Sequence, residues 1–178
     1  MKNKLIRQIT TTAMLTAVAV ILGYFAFPIF PPVAFLEYDL CDVMVLIASF
    51  IFGPIYGACS SFIVAFFQAV LLDKSGIFGF IMNIVSTLSF VVPAALFYAK
   101  RRTKKGAVTS LLLGVVTMNI TMIAFNLVVT PFFMHTTVSV VLKLLPFIIG
   151  FNVIKSVVNS VITYLLYKHI GKIIKKFN

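Results

Sequence analysis

Long stretches of this chain carry no charge at all, and their lengths constrain its fold more than any other feature. A hydrocarbon core of about 30 Å calls for about 20 apolar residues per helix, so the intervals between charged residues can be counted as spans. Arg7 to Glu37 encloses one, over roughly residues 8–27, closed by Pro28, Pro31 and Pro32. Asp42 to Asp73 encloses 30 uncharged residues interrupted by Gly53-Pro54 and Gly57. A single helix of that length would be about 45 Å long at about 1.5 Å per residue, too long for one crossing. Proline removes a backbone donor and glycine permits a turn, so two short helices are expected, 43–52 and 54–72. A fourth span runs over 77–99 to the basic run at 100–105, a fifth over 107–130 to Pro131, and a sixth over 146–167 before a basic tail.

The expected fold class is therefore an all-α integral membrane protein with six transmembrane helices in one membrane domain, 1–178. Composition agrees, with 61% hydrophobic and 11% charged residues, far from a soluble domain. The start, Lys2, Lys4 and Arg7 before an apolar run, resembles a signal peptide, but the run is too long and no clear cleavage site ends it. It reads as a retained first span.

Orientation follows from the basic residues. With the N-terminus inside, twelve of the 15 lysines and arginines fall in cytoplasmic segments and only Lys74 and Lys143 fall in outer ones, as the positive-inside rule expects. Both termini are then cytoplasmic. Glu37, Asp39, Asp42 and Asp73 all fall on the outer side. Clustering of the positive charge between apolar runs argues against nucleic acid as a partner and for the lipid bilayer. Cys41 and Cys59 lie toward opposite faces, which disfavours a disulfide, and no Cys/His cluster suggests a metal.

Polar residues inside the spans carry the functional information. Lys155 stands nine positions into the sixth span, where a lysine costs about 2.5 to 3.5 kcal/mol on insertion scales; it needs a partner, a cavity or a function, or else snorkels to the interface. Asn152 and Asn159, at i−3 and i+4, share its stripe. Asn119 and Asn126 share a face of the fifth span, Asn83 lies in the fourth and Gln68 in the third. Amides can simply join helices, and for Asn119, Asn159 and Gln68 that role weighs at least as much as ligand contact. Depth sets Asn126, Asn152 and Lys155 apart as residues able to line one outward-opening pocket. Their donors and acceptors suit a neutral or anionic organic ligand rich in carbonyls and ring nitrogens. There is no phosphate-binding loop, hydrolase motif or in-membrane carboxylate, so the chain reads as neither an enzyme nor a self-powered ion-driven pump, and energy must come from a partner.

Phe35-Leu36-Glu37-Tyr38-Asp39-Leu40-Cys41-Asp42-Val43, followed by Phe52-Gly53-Pro54-Ile55-Tyr56-Gly57, resembles the outer loop and FGPxxG turn of the substrate-binding S components of energy-coupling factor (ECF) vitamin transporters, in particular their riboflavin branch. Gly76-Ile77-Phe78-Gly79 with Asn83, then Asn126 with Pro131, then Pro146-Phe147 with Asn152 and Lys155, resemble later landmarks in the same order. Ala13 and Ala17 match the family's AxxxA element for docking. The resemblance implies a multi-pass protein of the bacterial cell membrane that takes a vitamin from outside, works with a transmembrane coupling subunit and two ABC ATPase subunits, and topples in the membrane to release its cargo. It needs no cofactor, with riboflavin as the transported ligand. The implied substrate residues are Asn126, Asn152 and Lys155, with Leu36, Glu37 and Tyr38 in a covering loop and Gly79 and Asn83 beside them. Ser61, Val64-Ala65, Gln68, Met44 and Phe80 depart from the riboflavin pattern, so another small vitamin such as pantothenate remains the alternative ligand, and a non-transporting membrane scaffold the alternative class.

Overall fold

In a computed structural model of the protein, residues 2–71 and 76–177 are described, with side chains over 3–71 and 76–167. Asp73 and Lys74 lie outside the described residues, as do the side chains of Lys2 and of the basic tail. Six helices follow one another: α1 (Lys2–Gly23), α2 (Cys41–Phe52), α3 (Pro54–Leu71), α4 (Gly76–Lys100), α5 (Lys104–Phe133) and α6 (Val138–Phe177). Five of them contain stretches long and apolar enough to cross a membrane, while α2 is apolar but only 12 residues long.

The helices extend past the charge-counted spans at two prolines, Pro131, expected to stop the fifth span, and Pro146, expected to start the sixth. Pro131 lies inside α5 and Pro146 inside α6, because in a bundle a proline's freed carbonyl can be satisfied locally or by neighbours. At the first span the reverse holds. α1 stops at Gly23, ahead of Pro28, through turn bonds from the amides of Tyr24, Phe25 and Ala26 to the carbonyls of Ile21, Leu22 and Gly23.

The break between α2 and α3 falls at Gly53. Its φ of 110° is in the region open to glycine, and its N–H caps α2 by donating to Ser49 O at 2.8 Å. Pro54 then occupies the first position of α3, where a missing N–H costs nothing. The core sits between α2, α4 and α5, around Leu46, Phe50, Phe90, Val91 and Met118. Gly114 lets α5 close onto α4, since a Cβ there would stand 2.7 Å from Phe90 O and 2.8 Å from Phe90 Cδ2.

Between α1 and α2 the chain forms a small cover. β1 (Phe27–Pro28) pairs antiparallel with β2 (Glu37–Tyr38), and a turn of 3-10 helix at Pro31–Val33 lies between them. Val33 is fully buried against Val141 and Ile148, and Phe30 meets Phe147 edge-on with ring centroids 6.0 Å apart. These contacts seat the cover on the first turns of α6.

Candidate functional site

A cavity of about 330 Å³ lies beneath the cover, at the small end of the range of about 300 to 1,000 Å³ for small-molecule sites. Its walls come from the cover, the last turns of α3 and α5, the first half of α4 and the middle of α6. Helix direction explains this convergence, because α4 and α6 begin, and α3 and α5 end, at the end of the bundle that carries the cover. Leu36, Glu37, Gly79, Asn83, Asn126, Asn152 and Lys155 all line it. Tyr38 does not. It stands behind the wall, where its hydroxyl donates to Asn159 Oδ1 at 3.0 Å.

Two of the amides are held rigidly. Asn126 is fully buried; its Nδ2 donates to Met122 O at 2.8 Å and its Oδ1 accepts from Thr130 Oγ1 at 2.9 Å. Asn152 Nδ2 donates to Ile148 O at 2.9 Å. Each amide nitrogen has a second hydrogen, and each oxygen a further lone pair, so both side chains retain capacity toward the cavity. Apolar walls flank them. Phe35, Phe78 and Phe133 form a chain of ring contacts at 5.8 and 6.0 Å across the cover, α4 and α5.

Lys155 does not snorkel. Its Nζ lies 3.2 Å from Asp39 Oδ2 and 3.8 Å from Asp42 Oδ2, with 7% of its side chain exposed. Asp39 forms part of the cavity wall and also accepts the backbone N–H of Cys41 at 2.9 Å. Burial alone would raise its carboxyl, but Lys155 and the Cys41 N–H outweigh that and hold it below the usual carboxylate range. Asp42 accepts from Thr87 Oγ1 at 2.8 Å and from Asn159 Nδ2 at 3.4 Å.

Asp39 lies in the loop as expected, whereas Asp42, expected at the end of that loop, stands in the helix that follows it. Asp42 is in the first turn of α2 and only 2% exposed. Charge counting treats every charged residue as a boundary, so it could not register an ion pair enclosed between a short helix and a long one. Asp39, Ser86 and Thr130 also line the cavity unforeseen, and Gln68, for which ligand contact was one of two readings, lines it while its Nε2 donates to Cys41 Sγ at 3.3 Å. The signal for Asp39 was present in the buried lysine itself, which required an acid somewhere. Asn119 does join helices, its Nδ2 donating to Ser156 Oγ at 3.1 Å across α5 and α6. Ala13 and Ala17 lie far from the cavity in sequence, both exposed on α1.

Residues 7–167 match the family described as ECF transporter, substrate-specific component. The chain belongs to that family. Among curated relatives, the riboflavin transporter RibU of Staphylococcus aureus is 30% identical over 179 residues, covering 96% of this chain and 93% of that protein. The riboflavin transporter FmnP of Bacillus subtilis is 29% identical, covering 91% of this chain and 90% of that one. A solved structure of the S component of a bacterial ECF transporter superposes with a TM-score of 0.83 at 27% identity, covering 98% of this chain and 99% of that chain. The protein is thus a multi-pass S component of the bacterial cell membrane, and the six-helix architecture is that of its family.

Proposed function

We propose that this S component captures riboflavin from outside the cell in the covered cavity and delivers it inward. The observation that carries the reading is that Asn126, Asn152 and Lys155, from two helices, meet around one apolar-walled cavity beneath a cover. Two curated relatives that match this chain in sequence over 93% and 90% of their own length are riboflavin transporters. Amide donors and acceptors together with an ammonium suit the carbonyls and ring nitrogens of an isoalloxazine, and the aromatic walls suit its faces.

Direction rests on charge. Arg7 and the run from Lys100 to Lys105 stand at the end of the bundle opposite the cavity, so the positive-inside rule sets that end, and both termini, in the cytoplasm. The cavity then opens outward. Energy comes from a transmembrane coupling subunit and two ABC ATPase subunits, docked along the exposed Ala13 and Ala17, where small residues let another helix approach.

Riboflavin fluorescence should be quenched stoichiometrically by the purified protein in detergent. Absence of quenching at micromolar flavin, with a different small molecule such as pantothenate found by mass spectrometry of the gently extracted protein, would overturn the assignment.

A further inference from the structure

Asp42 does not itself line the cavity, yet it is more deeply enclosed than Asp39. A buried carboxylate is costly unless paired and hydrogen-bonded, and this one is held from three elements: by Thr87 on α4, by Asn159 on α6 and by its own place in the first turn of α2. Its third side-chain neighbour is Lys155 Nζ, at 3.8 Å.

Lys155 has a flexible four-carbon stem, so its helix position alone does not place its ammonium. Two carboxylates bracket it, and they differ in what carries them. Asp39 belongs to the cover, two positions before α2 and next to β2, and reaches the bundle through the Cys41 N–H that its Oδ1 accepts. Asp42 lies within α2 itself and is bonded to Thr87 on α4 and Asn159 on α6.

We propose that Asp42 is a positioning residue for Lys155: it keeps the ammonium at the cavity floor when the cover, with Asp39, is raised, so that an entering ligand carbonyl meets a donor already in place. This rests on the reading of the cavity as a riboflavin site. Thr87 and Asn159 serve the same end by fixing the carboxylate that fixes the lysine. Asp39 then closes over an ammonium that has not moved, which links closure of the cover to an occupied and ordered floor.

A double-mutant cycle tests this. Riboflavin affinity is measured by fluorescence quenching for the wild type, Asp42→Asn, Lys155→Met and the double variant. Asp42→Asn should weaken binding about tenfold or more in the wild-type background but by less than about twofold where Lys155 is already Met. Equal factors in the two backgrounds would overturn the proposal, because a merely structural carboxylate would weaken both alike. The same four proteins are melted without ligand. The double variant should unfold at a higher temperature than Lys155→Met alone, since one orphaned charge is gone; additive losses would overturn it. If the wild type fails to bind riboflavin at all, the functional reading falls, and the ligand-free cycle still decides whether Asp42 holds Lys155.

Discussion

Replacing Tyr38 by Phe removes one oxygen and tests whether the cover is fastened where the structure fastens it. The Tyr38 ring is 8% exposed and packs edge-on against Phe27 with centroids 5.6 Å apart, contacts that phenylalanine keeps. What it loses is the bond at 3.0 Å to Asn159 Oδ1. Asn159 is fully buried and still donates to Asp39 O and Asp42 Oδ2, both at 3.4 Å, so the substitution orphans a single acceptor. An orphaned buried group costs about 1 to 3 kcal/mol in water-soluble proteins, whereas interhelical hydrogen bonds in membranes average about 0.6 and reach about 1.7 kcal/mol. A value near 1 kcal/mol corresponds to about a fivefold change in rate or equilibrium. The bond exists only while the cover is down, so its loss should fall on release. Riboflavin dissociation, followed by the recovery of flavin fluorescence in stopped flow after dilution, should accelerate about fivefold with little change in association. Dissociation indistinguishable from wild type, in a variant that melts normally, would show that this edge of the cover does not move when the ligand leaves.

Further expectations can be checked with the same preparations. Lys155→Met leaves two buried carboxylates without their cation and should destabilise the protein by about 3 to 5 kcal/mol, seen as a lowered thermal midpoint in detergent; an unchanged midpoint would contradict the ion pair. Gly114→Val forces side-chain atoms into Phe90, whose carbonyl and ring lie within 2.8 Å of a built Cβ, and should cost about 1 to 3 kcal/mol or more, readable by the same melt. Ala17→Leu should abolish uptake in cells while leaving riboflavin quenching intact, and loss of both would point to misfolding instead. The folded Asp39 carboxyl lies below its unfolded value, so its stabilisation is full above the ordinary carboxylate pKa of about 4 and fades only as pH falls through the lower folded value. Riboflavin binding should accordingly stay flat from neutral pH down to about pH 5 as far as Asp39 governs it.

How legible the site was depended on how far apart in sequence its parts lie. Helix count and the break at Gly53 are local matters, written in runs of uncharged residues and one dipeptide. The cavity residues on α5 and α6 were legible because position along a helix gives depth, and Asn126, Asn152 and Lys155 share a depth. The partners of Lys155 were not, for Asp39 is 116 positions away and only tertiary packing joins them. Tyr38 shows the complementary failure, since a loop residue beside a predicted pocket can point away from it. Pro131 was read as a helix stop and Pro146 as a helix start by rules suited to water, where proline is confined to helix termini, and in a bundle both are tolerated inside helices.

The shortness of α2 has a consequence for how proteins of this shape can diversify. At 12 residues it is about 18 Å long, little more than half a hydrocarbon thickness, and its first turn meets Thr87, eleven residues along α4. One column of the bundle is therefore only half built, and the cover rather than more helix continues it. Below that level stands an ordinary close-packed base; above it, the floor, walls and roof are separate pieces of chain. New cargo preferences can be acquired by remodelling the upper storey while the close-packed base stays as it is.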